Sequence, residues 1–402
     1  MGDARAPEQC VILVGGLGTR LGALTVGLPK PMVPVGGRPF LSYLIWHAKR
    51  FGFRKVLLLA GHRAERIAEE IPSLSQGGGL EISVAVEPEP LGTGGALRFA
   101  ADRLDERFLL MNGDSLFDFN WLDLVTAMHD GVQAVLSLRH EPDASRYGVV
   151  DLDGDRVIGF RERGDASGGL INGGVYLLDR AVAEGSPRNG SFEREVLPAL
   201  AAAGKVRGRR QSGFFLDIGI PDALAAAQEA VPASLKRPAV FFDRDGVINV
   251  DHGYVHRIDD FAWIDGAAAA VKAVNDRNLF AFLVTNQGGV GRGFYGEDDV
   301  RALHAHLQAE LRKHGAHLDD IRFCPHHPDA VTPELARPCD WRKPGAGMFT
   351  DLASHWPIEM GRSLMVGDKE SDIQAGQAAG VKSRLFEGGD LAAFLAPELE
   401  SL

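Results

Sequence analysis

The sequence predicts an α/β protein of two domains, each built on a mostly parallel sheet, and three observations carry that prediction. Short β-rich runs alternate with helix-like stretches along the 402 residues, the rhythm of strand–helix–strand units. At residues 230–238, Ala-Val-Pro-Ala-Ser-Leu-Lys-Arg-Pro, a helical pattern ends in two prolines and a fresh apolar strand follows, which sets domains at 1–232 and 237–402. In each half a glycine-rich or acidic turn directly follows the first strand, where parallel sheets bind their ligands.

The strands expected in the first half are Cys10 to Val14, Lys55 to Ala60, Ile82 to Val86, Phe108 to Met111 and Ala134 to Leu138. Those of the second are Ala239 to Phe242, Ala281 to Val284 and Ser363 to Val366. With 45% hydrophobic and 24% charged residues, the composition excludes bulk disorder and fibres. A formal net charge of −11 disfavours nucleic acid and anionic membrane as partners, since both attract clustered cations. Three cysteines, Cys10, Cys324 and Cys339, are too few for a disulfide framework and fit a reducing compartment. No run of about 18 apolar residues and no apolar signal core is visible, so the expectation is a cytoplasmic protein acting on small molecules. The oligomeric state is not legible.

After the first strand comes Gly15-Gly16-Leu17-Gly18-Thr19-Arg20-Leu21-Gly22. Glycines let backbone N–H groups close on phosphate oxygens, and Arg20 can add a charge-assisted fork. Neither a Walker loop nor the dinucleotide fingerprint has this spacing. Four further segments follow in order: Leu28-Pro29-Lys30-Pro31-Met32, Glu87-Pro88-Glu89-Pro90-Leu91-Gly92-Thr93-Gly94-Gly95, Asn112-Gly113-Asp114, and Phe215-Leu216-Asp217-Ile218-Gly219. Asp114 ends an apolar strand and would face the ligand crevice. With Asp217 it could hold Mg²⁺ on phosphates.

Over residues 8–230 this set resembles the sugar-phosphate nucleotidylyltransferases, which implies a Rossmann-like nucleotidyltransferase fold. It also implies attack by a sugar 1-phosphate on the α-phosphorus of a nucleoside triphosphate. Arg20 and Lys30 would neutralise the triphosphate, Asp114 and Asp217 would hold Mg²⁺, and Gly15, Gly16, Gly18, Gly92 and Thr93 would line the substrates. The sugar-phosphate segment is matched by Phe160-Arg161-Glu162-Arg163 and by Asn172-Gly173-Gly174, making Glu162, Arg163 and Asn172 substrate residues; Arg163 stands where a lysine is usual. Glu87 occupies a position that is commonly glutamine in relatives using uridine or thymidine triphosphates. A carboxylate only accepts, and guanine offers two adjacent donors, so the expected base is guanine.

In the second half, strand 239–242 runs into Asp243-Arg244-Asp245-Gly246-Val247-Ile248-Asn249. Two carboxylates at i and i+2 leaving a buried strand can divide labour, one attacking phosphorus and the other handling protons. A calcium loop is excluded because Val247, Ile248 and Tyr254 stand where acceptors, a glycine and a closing glutamate are needed. Thr285-Asn286-Gln287, Arg342-Lys343-Pro344 and Gly367-Asp368-Lys369-Glu370-Ser371-Asp372 follow at strand ends.

These four motifs resemble the haloacid dehalogenase superfamily of phosphatases, implying a Rossmannoid fold with a minimal cap. The resemblance makes Asp243 the nucleophile and Asp245 the acid/base. Mg²⁺ would be held by Asp243, the backbone carbonyl of Asp245 and Asp368, while Thr285 and Lys343 would steady the phosphoryl group. Asn249 to Val255 and Cys324-Pro325-His326-His327-Pro328 are similar to the heptose 1,7-bisphosphate 7-phosphatases. Asp251, His252, Gly253, Tyr254, Asn286, Gln287, Arg342 and Lys369 would then meet substrate. Such relatives hold structural Zn²⁺ through Cys-x-His and Cys-x-Cys. Here Cys324, His326 and Cys339 are present and Trp341 takes the fourth place, leaving water, His327, Asp340 or no metal as alternatives. His304 and His306 are expected on a helix surface.

Together the resemblances imply a bifunctional enzyme of nucleotide-activated heptose synthesis. The open alternatives are a mannose 1-phosphate guanylyltransferase fused to a histidinol-phosphatase-like domain, or a non-catalytic nucleotide-sugar sensor regulating a phosphatase.

Overall fold

The protein, seen in a computed structural model, is described at residues 6–16, 28–61, 63–75, 79–145, 147–161 and 168–402. It divides into two compact units, Met1–Ser234 and Leu235–Leu402. The first contains β1 (Gln9–Leu13), β2 (Pro34–Val35), β3 (Arg38–Pro39), β4 (Lys55–Ala60), β5 (Glu81–Val86), β6 (Arg107–Asn112) and β7 (Ser115–Asp118). It continues with β8 (Ala134–Glu141), β9 (Val149–Asp153), β10 (Arg156–Arg161), β11 (Gly169–Asp179), β12 (Val206–Arg210) and β13 (Phe214–Asp217).

Nine of these form one sheet in the order β5-β4-β1-β6-β11-β8-β12-β10-β9. From β5 to β6 the strands are parallel. The chain leaves β1 for β4 and β5 on one side and returns to β6 on the other, so a crevice opens past the carboxyl ends of β1 and β6. Gly15 and Asp114 sit at that crevice, and the Gly113 N–H donates to Leu13 O at 3.0 Å across it. Beyond β6 the expectation of a mostly parallel sheet fails: β11 runs antiparallel to β6 and β8, and β9 to β10. The two-residue turn between β9 and β10 forces reversal, because a parallel crossover needs a dozen residues or more. The core packs Val11, Leu57, Phe108, Leu110, Tyr176 and Phe192. The last helix of this unit, Pro221–Ser234, runs through Pro232 and ends two residues beyond it.

The second unit holds β14 (Ala239–Phe242), β15 (Phe280–Asn286), β16 (Asp320–Cys324), β17 (Leu364–Gly367) and β18 (Lys382–Leu385). They form an all-parallel sheet, β16-β15-β14-β17-β18. Every residue of β14 is buried, as a central strand covered on both faces requires. Phe242 joins Val271, Leu283, Leu307 and Val366 on one face, while the Phe241 ring lies against Phe282 and Phe349 on the other. Each buried phenylalanine contributes about 2–3 kcal/mol, which anchors the strand whose end carries the chemistry.

Candidate active sites

In the first unit the short ribbon β7–β13 brings two distant aspartates together. Asp217 is paired with Ser115, one residue beyond Asp114, and the Ile218 N–H donates to Asp114 O at 3.0 Å. Lys30 Nζ lies 2.6 Å from Asp114 Oδ2 and 3.9 Å from Asp217 Oδ1, its side chain 8% exposed. A buried ammonium between two carboxylates is a compensated charge cluster. It opens on a cavity of about 800 Å³ lined by Asp114, Asp217, Asn172, Tyr176, Arg161 and Glu193, among others. Chemically, such a pocket suits a polar, phosphorylated ligand facing a divalent cation.

The other expected residues of this site divide. Glu87 leans into the β1 crevice: a Cβ at Gly15 or Gly61 would lie 2.8 or 2.9 Å from its Oε1. Its Oε2 accepts from the Leu91 N–H at 3.1 Å, and burial raises its pKa against that bond. Gly16 faces open space. Gly92 has φ +72°, and a Cβ there would lie 2.4 Å from Gly190 O, so only glycine fits. Thr93, expected at the substrate, donates to Glu193 Oε2 at 2.9 Å and accepts from the Phe192 N–H at 2.8 Å. It fastens the 190–193 segment. Asn172 lines the cavity and donates to Tyr176 Oη at 2.7 Å. Gly18, Arg20, Glu162 and Arg163 lie outside the described residues.

In the second unit Asp243 directly follows β14, and its N–H donates to Val366 O at 3.0 Å, setting the aspartate beside the end of β17. Asp243 Oδ1 accepts from the Arg244 N–H at 2.7 Å and lies 2.9 Å from Lys343 Nζ. Lys343 also meets Asp372 Oδ1 at 2.6 Å and donates to Val284 O at 2.9 Å. Burial alone would favour the neutral amine, but Asp243 and Asp372 hold the ammonium pKa above its ordinary value. Asp372 thus belongs to the site, although sequence reasoning assigned it no role; its i+4 spacing from Asp368 on a helix start was the available signal.

Asp368 completes a carboxylate triad with Asp243 and Asp372, one oxygen of each lying within 4.8 Å of the others. Burial first, and the Asp243 charge second, push its pKa up to about 6. Its Oδ1 is buried with no hydrogen-bond partner among the described residues. An orphaned carboxylate oxygen beside a second carboxylate fits a hard divalent cation. Gly246, φ +87°, lets the turn pass beneath it, since a Cβ there would lie 2.3 Å from Asp368 Oδ2.

Asp245 is gripped by Arg244, Asn249 and Gln287, with contacts of 2.9 to 3.0 Å. Thr285 is buried and accepts from Gln287 Nε2 at 3.0 Å. Asn286 brackets the Lys343 backbone with bonds of 3.1 and 3.0 Å. Asn286 and Gln287 therefore spend these polar atoms inside the protein rather than on substrate. The outer rim is Asp251, His252, Gly253 and Tyr254, all exposed. Asp251 Oδ2 lies 3.2 Å from Lys369 Nζ, itself 3.7 Å from Asp368, and Tyr254 Oη accepts from Arg292 Nη1 at 2.7 Å. Arg342 donates to His326 O at 2.9 Å.

Nearby, Cys324 Sγ lies 3.6 Å from His326 Nδ1 and 3.9 Å from Cys339 Sγ. Burial, with Cys339 adding, raises the Cys324 pKa to about 12. Two thiols and an imidazole in one cluster fit zinc by type. His327 is turned away, its Nδ1 accepting from the Asp329 N–H at 3.0 Å. The expectation of a surface His304 is corrected: it is 6% exposed, its Nε2 3.5 Å from Arg244 Nη1, because the helix turns that face onto the 244 loop.

The fold and sites define a nucleotidyltransferase unit and a phosphatase unit on one chain. Residues 9–234 match the nucleotidyl transferase family and residues 340–394 the HAD-hydrolase-like family. A D-glycero-beta-D-manno-heptose-1,7-bisphosphate 7-phosphatase of Rhodopseudomonas palustris is 47% identical over 160 residues, 40% of this chain and 89% of that protein. A D-glycero-alpha-D-manno-heptose 1-phosphate guanylyltransferase of Aneurinibacillus thermoaerophilus is 38% identical over 226 residues, 55% of this chain and 97% of that protein. The crystal structure of HddC from Yersinia pseudotuberculosis complexed with GMP-PN superposes with a TM-score of 0.51 at 31% identity, covering 56% of this chain and 99% of HddC. The chain belongs to the nucleotidyl transferase family in its first unit and to the HAD-like phosphatases in its second.

Proposed function

We propose that this protein performs two consecutive steps of nucleotide-activated heptose synthesis. The second unit hydrolyses the 7-phosphate of D-glycero-D-manno-heptose 1,7-bisphosphate, and the first transfers GMP from GTP to the resulting heptose 1-phosphate, releasing pyrophosphate. The observation that carries this reading is the complementarity of the two relatives: the product of the 7-phosphatase is the kind of acceptor a heptose 1-phosphate guanylyltransferase uses.

In the phosphatase step an Asp243 carboxylate oxygen forms a bond to phosphorus while the bond from phosphorus to the sugar oxygen breaks. The departing oxygen takes a proton from Asp245, which then removes one from the water that hydrolyses the aspartyl phosphate. Lys343, held between Asp243 and Asp372, and Thr285 steady the charge on the transferring group. Asp243, Asp368 and the Asp245 carbonyl would hold Mg²⁺, which would supply electrostatic stabilisation of the transferring group. In the transfer step the sugar phosphate lies in the cavity bordered by Asn172 and Arg161, and the sequence assigns Glu162 and Arg163 to the same ligand. Gly15, Gly16 and Lys30 would face the triphosphate, to which the sequence also assigns Gly18 and Arg20, and Asp114 and Asp217 would hold its Mg²⁺. Glu87, beside Gly15, accepts from guanine N1–H and its amino group.

The two relatives carry opposite anomers in their names, and a chain that runs both steps needs one. The test supplies each anomer of the bisphosphate with GTP, ATP, UTP or CTP and identifies products by mass spectrometry. GDP-heptose from a single anomer is expected. An ADP- or UDP-sugar as the main product overturns the base assignment, and phosphate release with no nucleotide sugar overturns the coupled pathway. Glu87→Gln should cut the preference for GTP about tenfold, within the 1–3 kcal/mol of a bidentate base contact.

A further inference from the structure

Cleaving an alkyl phosphate requires a proton at the departing oxygen, and under the phosphatase reading Asp245 supplies it. How this carboxylate is aimed is therefore a catalytic question. Arg244 is fully buried. Its Nε donates to Asp245 Oδ1 at 3.0 Å, and Nη2 reaches Oδ1 and Oδ2 at 2.9 Å each. The same Nη2 donates to the Val255 carbonyl at 2.5 Å, on the buried residue directly after the exposed 251–254 rim that carries Asp251 and Tyr254. Its Nη1 faces His304 Nε2 at 3.5 Å, on the helix Glu297–Lys313.

We propose that Arg244, braced by His304, is a positioning residue that couples the orientation of the acid/base carboxylate to the substrate loop. A guanidinium is planar and presents its donors in a fixed fork, so it can hold both oxygens of Asp245 and still reach Val255. An ammonium cannot do all three. The buried, neutral imidazole gives the third edge of the fork something to meet other than apolar wall, which favours one guanidinium plane over others. Burial and the Arg244 charge together lower the His304 pKa to about 3, so the ring does not repel its neighbour at neutral pH. Substrate seating against the loop and proton delivery to the leaving oxygen thus share one donor atom, Nη2.

The test compares two phosphomonoesters on the full chain with Mg²⁺ present. One is an alkyl ester, heptose 1,7-bisphosphate, whose leaving oxygen needs the proton. The other is p-nitrophenyl phosphate, whose phenolate leaves without it. The readout is the single-turnover rate of aspartyl-phosphate formation, the step before Asp245 acts as base on water. Arg244→Lys should lower it about 100-fold on the alkyl ester, in the range of a lost general acid, and less than about fivefold on the aryl ester. His304→Phe should lower the alkyl value about tenfold, and His304→Gln, which restores an acceptor, should recover most of it. Equal losses on both esters mean a merely structural role and overturn the proposal. If Arg244→Lys does not fold, the histidine pair decides: His304→Phe matching wild type on the alkyl ester overturns it equally. Wild type releasing phosphate from neither ester would instead sink the phosphatase reading itself, and the proposal with it.

Discussion

His304 shows how a single side chain can report on stability as well as chemistry. Its pKa falls from 6.5 to about 3 because burial and the Arg244 charge both disfavour imidazolium. Between those two values the unfolded chain binds a proton that the folded chain does not, so stability is present above pH 6.5 and is lost as pH falls toward 3. One such proton is worth up to about 1.4 kcal/mol per pH unit. Urea midpoints of the second unit should drop between pH 7 and 5, and His304→Gln should flatten that slope; parallel slopes for the two proteins would refute it. The position of His304 on a helix was readable, but which face of that helix met Arg244 was not. Asp243 and Asp368 were readable because each follows a buried strand, where the backbone itself aims the side chain; Lys343, expected at a strand end, instead lies on the turn that leads into the helix Gly347–His355.

Two elements carry site residues without touching the reacting atoms. The helix that begins at Gly92 is clamped to the 190–193 segment through Gly94 N–H to Gly190 O at 2.9 Å and through Thr93. Gly92→Ala would place a methyl 2.4 Å from Gly190 O in a left-handed conformation. It should destabilise the first unit by about 2 kcal/mol or more, seen in denaturant unfolding, while phosphatase activity is retained. In the second unit the loop with Cys324, His326 and Cys339 has three donors and a tryptophan in the fourth place. We expect up to one zinc per chain by elemental analysis of protein purified without chelator, water filling the fourth position, with Cys339→Ser lowering the content. Metal-free protein of undiminished stability would mark a lost site. The cysteine spacing pointed to this cluster; the seating of His327 against Asp329 and Arg292 depends on the 288–294 turn and could not be read from spacing.

Each unit has its own apolar core, one running from Val11 to Val206 and the other from Val240 to Leu399, and separate cores can fail separately. Asp243→Asn should abolish phosphate release while leaving pyrophosphate release from supplied heptose 1-phosphate and GTP close to wild type. Asp114→Ala should do the reverse. Loss of both activities in either folded variant would refute independence of the two sites, and a wild type with no transfer to any sugar phosphate would revive the sensor alternative.

Strand ends and their motifs were legible in the chain because a buried parallel strand demands a short apolar run and delivers its next residues to one crevice. That rule placed Asp114, Asp243, Thr285 and Asp368 at strand ends from local pattern. It could not give strand direction, since apolar runs look alike in both senses, and so the antiparallel half of the first sheet went unread. Nor could it set Lys30 between Asp114 and Asp217, enlist Asp372, or bury His304 against Arg244. Those depend on which surfaces meet once the chain is packed. Charge compensation inside a low-dielectric interior is a property of neighbours in space, and residues 103 positions apart acquire it only when the fold closes.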